Sequence, residues 1–316
     1  MPSISANSDS DNRMEEFHRQ LELSLQESSL LMWRQADISC DNSRQGCRAY
    51  HKVWQTLRLL GVNTSITSDS EFLINSLRPW LRSGEVRSIL LCGAADYGML
   101  AHLLWAARLE NVEPEITVID RCETPLFINR WYADRQGARI ASFKHNILHA
   151  WPETAGQFDL VCTHNLLGFY DAAQRGEIFD RWYGLLAPEG RLLTVVRLRP
   201  DATSVERIPS EAQAAAMAER ALSALATRPV PQAYTKAEFR EQVYEFIIKS
   251  TGYVIRSQGE IEGALGEHGF IVYGAEQHWA PNPIRSYGQT DSAPETVNRL
   301  LLRIIARKRD SGNNRE

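Results

Sequence analysis

The sequence predicts an α/β fold built on an open, doubly wound and mostly parallel sheet, and three observations support this prediction. Short apolar runs alternate with helical patterns of about ten to fifteen residues from residue 86 onward, as in βαβ units. The first of these runs ends in a turn of small residues, where such sheets bind ligands. Hydrophobic residues make up 43% of the chain and charged residues 23%, which is typical of a globular protein.

The N-terminal part of the chain is expected to be helical. Apolar residues recur at helical spacing in residues 14–33, and amphipathic stretches follow at 50–60 and 71–81. Residues 1–13 are rich in Ser, Asp and Asn and are expected to form an unstructured lead. Residues 14–83 are therefore predicted to form a helical cap.

The core of the sheet is predicted over residues 84–200. Its buried strands are expected in five apolar runs. Helices are expected between the first and second runs, between the second and third, and between the fourth and fifth. The runs are VRSILLCG (86–93), EITVID (115–120), ARIASFK (138–144), FDLVCT (158–163) and GRLLTVVRL (190–198). The helices are predicted at 99–109, 124–136 and 171–186.

Beyond Pro200 the alternation stops, and residues 201–256 are predicted to be a helical insertion after the fifth strand. The sheet resumes in residues 257–309, and residues 310–316 are expected to form an unstructured tail. The elements expected in these segments are helices at 210–226, 236–249 and 258–268 and strands at 269–279 and 297–308.

Charge and cysteine content exclude several classes of protein. The 35 Lys and Arg residues against 39 Asp and Glu residues leave a net charge of −4, which argues against a nucleic-acid partner. No apolar run approaches the ~20 residues that a membrane helix needs, so no membrane partner is expected. The five cysteines form no CxxC pair, which predicts a reduced, cytoplasmic compartment and no metal site.

Polar and small residues follow the first two strands at the carboxyl edge of the predicted sheet. Gly93, Ala94 and Gly98 belong to a turn in which a ligand approaches the backbone closely. Asp120 ends the second strand, where a carboxylate can accept hydrogen bonds from a ribose diol. The turn lacks the GxGxxG pattern of dinucleotide-binding proteins, because Ala95 stands at the second glycine position, so a nicotinamide dehydrogenase is disfavoured.

In order and spacing, LLCGAADYG, VID, HNIL, FDLVCTHNLL and LLAPEGRLL resemble the motifs of class I S-adenosylmethionine (SAM)-dependent methyltransferases. The resemblance covers residues 86–196 and the closing strands, and it implies seven strands with the last one antiparallel. It also implies that the turn at Gly93 and Gly98 faces the methionine part of SAM. By the same resemblance, Asp120 would hold the ribose, Asn146 the adenine, and Thr163 with Asn165 would lie near the sulfonium.

Candidate catalytic residues are His164, Asn165, Tyr132 and Trp33. His164 follows the fourth strand, and histidine is the usual general base near neutral pH. Tyr132 and Trp33 are aromatic candidates for contact with the sulfonium, and core packing is the alternative for both. Arg197 or Arg199 is a candidate to bind a carboxylate of the substrate or cofactor, and Tyr244, Phe246, Tyr253 and Arg256 are candidates to line the pocket.

The leading hypothesis is a SAM-dependent methyltransferase that acts on a small molecule, in specialised metabolism. A second hypothesis uses SAM as the sole substrate, as in azetidine-2-carboxylate synthases, which resemble methyltransferases and release methylthioadenosine. A third is a non-catalytic SAM-binding protein, which the sparse glycine turn permits. All three predict SAM as the cofactor, and the sequence leaves the oligomeric state open.

Overall fold

The computed structural model describes residues 4–41, 43, 46–63, 66–150, 157–228, 230–280 and 299–309. It has a seven-stranded sheet in the order β3-β2-β1-β4-β5-β9-β8, and only β9 runs antiparallel to its neighbours. The strands of this sheet are β1 (Ser88–Cys92), β2 (Glu115–Asp120), β3 (Ile140–Lys144), β4 (Phe158–His164), β5 (Leu186–Arg197), β8 (Phe270–Ala280) and β9 (Arg299–Lys308).

Both the doubly wound α/β fold and the antiparallel last strand are confirmed. Strand order reverses between β1 and β4, which makes the carboxyl edge of these two strands the switch point where such sheets bind ligands. The short pair β6 (Glu206–Arg207) and β7 (Gly252–Tyr253) forms a separate two-stranded ribbon.

The cap consists of the three N-terminal helices and one short 3₁₀ turn. Helix α1 begins at Ile4, inside the stretch that the sequence predicts to be an unstructured lead. The predicted tail, residues 310–316, lies outside the described residues. The cap elements are α1 (Ile4–Ser39), α2 (Arg48–Leu59), the 3₁₀ turn Ile66–Asp69 and α3 (Ser70–Ser83).

The cap shares a hydrophobic core with the sheet. Phe17 of α1 is 1% exposed and packs edge-on against His102 of α4, with ring centroids 4.8 Å apart. It also contacts Trp105, with ring centroids 5.3 Å apart. Because these residues would be exposed without α1, the cap is part of the folded unit. The helices that flank the sheet are α4 (Gly98–Glu110), α5 (Glu123–Arg135), α6 (Ala172–Leu185) and α9 (Gln258–Glu267).

The insertion after β5 folds as two helices, α7 (Glu211–Thr227) and α8 (Lys236–Lys249), close to their predicted bounds. Each starts with a capping box, in which Ser210 or Thr235 accepts a hydrogen bond from the backbone N–H three residues later. Helix α8 packs on α2 of the cap, so the insertion and the cap meet above the sheet. No helix in the described ranges is both long and apolar enough to cross a bilayer.

Candidate functional site at the carboxyl edge of the sheet

The turn after β1 is built around Gly93, as the sequence predicts. Gly93 has a φ of +71°, a conformation that side chains other than glycine rarely adopt, and its N–H donates to the carbonyl of Ile119 (2.9 Å). A Cβ at this position would lie 2.6 Å from Cδ1 of Leu166. Glycine is therefore required here both by the left-handed backbone and by the close packing of Leu166 against it.

Asp120 lies at the end of β2 beside this turn. Its Oδ2 accepts a hydrogen bond from the backbone N–H of Ala94 (3.0 Å), and its Oδ1 accepts one from the N–H of Cys122 (2.8 Å). Burial raises the pKa of Asp120, while the nearby His51 and the two N–H donors oppose the rise. Each carboxylate oxygen keeps further acceptor capacity, so contact with a ribose diol stays a prediction that this geometry permits.

Asp96, a residue that the sequence analysis missed, organises the rest of the turn. It is 5% exposed and accepts hydrogen bonds from the N–H of Gly98 (2.7 Å) and from Nε1 of Trp54 (3.1 Å). It also forms a buried ion pair with Arg58 of α2. Asp96 therefore joins the turn after β1 to the cap. The short Asp-x-Gly spacing was the only signal in the sequence for this role.

Three aromatic side chains from the cap and the insertion form what we call the aromatic roof: Tyr50, Trp54 and Phe246. Tyr50 and Trp54 stack with ring centroids 5.0 Å apart, and Phe246 lies 5.4 Å from Tyr50 and 6.4 Å from Trp54. Burial raises the pKa of Tyr50 well above its usual range, and the neighbouring carboxylates of Asp96 and Asp120 add to the rise. Of the three members of the roof, only Phe246 was predicted to line a pocket.

His164 and Asn165 form the mouth of the site at the end of β4. Nε2 of His164 lies 3.0 Å from Oδ2 of Asp69, and Asp69 also accepts a hydrogen bond from Nε of Arg303 (2.8 Å). The partners His164 and Arg303 hold the pKa of Asp69 below its usual range, although burial opposes them. This arrangement orients the imidazole as a carboxylate orients a catalytic histidine.

Asn165 has a φ of +56°, which is rare for a residue other than glycine. Its N–H donates to the carbonyl of Val195 (2.8 Å), and its Nδ2 lies 3.3 Å from Nδ1 of His164. Its Oδ1 is buried and has no hydrogen-bond partner among the described residues. Such backbone strain, together with an unpaired buried oxygen, is typical of a ligand-binding position.

Two further predicted residues lie at the same edge. Thr163 is buried, and its hydroxyl has no partner among the residues that the structure describes. Asn146 is half-buried in the turn after β3, where its Oδ1 accepts a hydrogen bond from the N–H of Leu148 (3.2 Å). Because that oxygen is engaged locally, the side-chain amide N–H₂ of Asn146 is the group available to an adenine ring.

Tyr132 and Trp33 are packed in the core, and their predicted contact with a sulfonium stays a prediction that this packing does not support. Tyr132 is 5% exposed and stacks on Tyr97 with ring centroids 4.3 Å apart, and burial raises its pKa to about 12. Trp33 is 6% exposed and packs within the helical layer above the sheet, with its ring 4.2 Å from Tyr234 and under the ammonium of Lys52. Both rings belong to the core, the alternative that the sequence had left open.

Four arginines gather beyond the end of β5, and we call them the arginine cluster: Arg197, Arg199, Arg207 and Arg299. Burial and the nearby Arg299, Arg199 and Arg207 lower the pKa of Arg197 to about 8. Among the described residues, no carboxylate forms an ion pair with any of the four, and Nε of Arg197 is buried without a partner. Half-buried arginines without an ionic partner among the described residues are candidates to bind an anion.

The arginine cluster adjoins the mouth of the site. Val195 is the register partner of His164 on the neighbouring strand, and Arg197 is two positions further along β5. Side chains two positions apart in a strand point to the same face of the sheet, so Arg197 and His164 share a face. An anion bound at Arg197 would therefore lie next to His164.

No protein-family model matches the chain, and no curated protein matches it. Among solved structures, a 1,6-didemethyltoxoflavin-N1-methyltransferase from Burkholderia thailandensis is similar at a TM-score of 0.47 and 16% identity, covering 76% of this chain and 78% of that one. The N-methyltransferase NodS from Bradyrhizobium japonicum WM9 is similar at a TM-score of 0.44 and 19% identity, and the match covers 77% of this chain and 88% of NodS. The [4+2]-cyclase SpnF is similar at a TM-score of 0.48 and 13% identity, and the match covers 77% of this chain and 81% of SpnF. The fold assignment rests on the strand order of the chain itself.

Proposed function

We propose that this protein binds SAM at the carboxyl edge of β1, β2 and β4 and transfers its methyl group to a small anionic acceptor. The observation that carries the proposal is the carboxylate of Asp120, held at the end of β2 against the left-handed turn at Gly93. A carboxylate in this position accepts hydrogen bonds from a ribose diol, and the turn admits the rest of the nucleoside and its amino-acid arm.

The aromatic roof supplies the second requirement of the proposal, a water-poor setting for a sulfonium cation. Tyr50 and Trp54 come from α2 and Phe246 comes from α8. Trp54 donates a hydrogen bond to Asp96 of the turn, and the other two rings pack beside it. Aromatic faces stabilise a cation by roughly 0.5–2 kcal/mol each. Exclusion of water around the sulfonium also strengthens its electrostatic interaction with the neighbouring carboxylates.

His164 is the residue that we assign to the proton of the acceptor. The nucleophilic atom of the acceptor attacks the methyl carbon, the C–S bond breaks, and its electron pair stays on sulfur as the neutral thioether of S-adenosylhomocysteine. A nucleophile that carries a proton must lose it in this step. A His164 ring whose Nε2–H donates to Asp69 can accept that proton at Nδ1 once the acceptor displaces Nδ2 of Asn165, which lies 3.3 Å from that nitrogen. Much of the rate would come from in-line positioning of the two reactants.

The arginine cluster favours methyl transfer over cyclisation of SAM. Cyclisation joins the amine of SAM to its own γ-carbon and needs no second substrate, so it leaves only the single carboxylate of SAM for the four arginines. Arg197, by contrast, is placed to bind a carboxylate or phosphate of a separate acceptor on the same face as His164. The acceptor class that follows is a small organic anion.

The products made from SAM test this assignment. With purified protein and SAM alone, we expect no methylthioadenosine above the spontaneous background, and with SAM plus mixed small organic acids we expect S-adenosylhomocysteine. Liquid chromatography with mass detection separates the two products. Catalytic formation of methylthioadenosine from SAM alone would reject methyl transfer in favour of cyclisation, and failure to bind SAM would reject the proposed function as a whole.

A separate prediction concerns the anion site. Replacement of Arg197 by Met should raise the stability of the ligand-free protein, because it removes a poorly solvated charge that three other guanidinium groups repel. Phosphate that binds preferentially to the folded state should raise the melting temperature of the wild type at millimolar concentration. The same change should abolish this rise.

The melting temperatures are measured by scanning calorimetry at matched ionic strength in phosphate and in chloride. Arg240→Met is the control, because Arg240 is exposed and pairs with Glu219 (2.6 Å) away from the cluster. This control should keep the phosphate effect unchanged. A phosphate effect that survives in Arg197→Met would remove Arg197 from the anion site.

A further inference from the structure

Three cysteines and one histidine meet between the cap and the sheet. Cys40 follows α1, Cys47 precedes α2, His51 lies within α2, and Cys122 precedes α5. Their three Sγ atoms and Nδ1 of His51 all lie within 4.8 Å of one another. The sequence analysis expected no metal site, because these residues are spread over the chain and form no CxxC pair.

Three distances within this cluster lie close to those of a tetrahedral metal site, and a fourth, between Cys40 and His51, is shorter. Sγ of Cys122 lies 3.6 Å from Sγ of Cys40 and 3.5 Å from Sγ of Cys47. Nδ1 of His51 lies 3.1 Å from Sγ of Cys40 and 3.6 Å from Sγ of Cys122. Tetrahedral ligation of zinc at ordinary bond lengths puts two sulfurs about 3.8 Å apart and a sulfur and a nitrogen about 3.6 Å apart.

We propose that Cys40, Cys47, His51 and Cys122 bind one Zn²⁺ ion as a structural site. Thiolate and imidazole are the ligands that zinc prefers, and a complete set of three sulfurs and one nitrogen leaves no open position for catalysis. A disulfide does not explain the arrangement, because it needs two sulfurs about 2.05 Å apart and leaves the third cysteine and the histidine without a role.

The surroundings of the four residues suit a bound metal. The hydroxyl of Thr124 lies 3.0 Å from Sγ of Cys40, where it can donate a hydrogen bond to a thiolate. Three thiolates and one Zn²⁺ carry a net charge of −1, and the side chain of Arg121 is close enough to Cys47 to offset it. Outer partners of this kind orient metal ligands and are part of most zinc sites.

The proposed ion would join three separate pieces of chain: the end of α1, the start of α2 and the loop between β2 and α5. Two of these pieces adjoin the candidate site, because Tyr50 precedes His51 and the N–H of Cys122 donates to Asp120. The zinc would therefore hold the aromatic roof and the carboxylate of Asp120 in a fixed relation. Binding of zinc is nevertheless independent of the proposed methyl transfer.

The experiment measures metal content in the full-length, untagged protein, prepared with reductant and trace zinc and then desalted. We expect mass spectrometry of the metals to find about one zinc per chain. Cys47→Ser and Cys122→Ser should lose most of this zinc. The control Cys162→Ala should keep it, because Cys162 is buried in β4 away from the cluster.

Cobalt substitution keeps the proposal falsifiable if the cysteine variants do not fold. Wild-type protein exchanged into Co²⁺ should show a thiolate-to-cobalt charge-transfer band and the intense visible absorption of a tetrahedral site. Zinc displaced from the wild type by a thiol-blocking reagent should appear in a chromogenic chelator assay in the same one-to-one ratio. Absence of zinc and of the cobalt spectrum in folded wild-type protein would overturn the proposal, as would a disulfide between any two of the three cysteines under reducing conditions.

Discussion

Replacement of Asp96 by Asn is expected to lower the free energy of unfolding by about 3–5 kcal/mol. Asp96 is almost fully buried, and the side chain of its ion-pair partner Arg58 is 2% exposed. Removal of the carboxylate charge leaves the guanidinium of Arg58 in a poorly solvated place without its charged acceptor. An amide in place of the carboxylate also weakens the hydrogen bonds from Trp54 and Gly98.

Urea unfolding followed by tryptophan fluorescence measures this loss. Glu219→Gln is the matched control, because Glu219 forms an ion pair with Arg240 that is exposed on both sides, and exposed pairs contribute little. The double variant Arg58→Met/Asp96→Leu removes both charges and should recover part of the loss. If Asp96→Asn were no more costly than Glu219→Gln, Asp96 would not be the residue that joins the turn to the cap.

The strands and helices of the sheet could be predicted from sequence because each depends on a local pattern. The runs that end at Cys92, Asp120 and His164 are mostly buried and mostly apolar, while the helices between them repeat at helical spacing. The start of α1 was placed too late, because the first residues of this helix are polar and carry no apolar period. Local composition predicts a strand or a helix better than it predicts where a polar helix begins.

The candidate site was only partly predictable, because half of it comes from distant parts of the chain. Asp120 and Gly93 follow strands whose ends meet at one edge, so strand order alone brings them together. Trp54 of the aromatic roof and Arg58 belong to α2, whose sequence shows only an amphipathic helix. Their contact with Asp96 depends on how α2 packs against the turn, and no local pattern contains that information.

Tyr132 shows that closeness in sequence does not fix the direction of a side chain. It lies next to the site in sequence, twelve positions after Asp120, yet the phase of α5 turns its ring into the core against Tyr97. The zinc ligands show why spacing alone is a weak guide. Cys47 and His51 are one helical turn apart, but Cys122 lies 75 positions after Cys47 and completes the set only through the tertiary fold.

The largest effect on ligand binding is expected for Asp120. Replacement by Asn keeps one acceptor oxygen but removes the charge that strengthens the hydrogen bonds proposed to the ribose. Loss of a charge-assisted contact costs about 1.5–3 kcal/mol, so the dissociation constant for SAM should rise by about 10- to 150-fold. Isothermal titration calorimetry of SAM into wild type and variant measures the change.

The control must separate this ligand contact from the structural role of Asp120, which accepts hydrogen bonds from two backbone N–H groups. Asp159 at the opposite edge of the sheet has the same structural role, since its Oδ2 accepts the N–H groups of Arg87 (2.8 Å) and Ser88 (2.9 Å). Asp159→Asn should therefore destabilise the fold to a similar degree and leave SAM affinity unchanged. Equal SAM affinities in wild type and Asp120→Asn would remove Asp120 from the cofactor site, and equal losses in both variants would show that local disorder, and not a ribose contact, weakens binding.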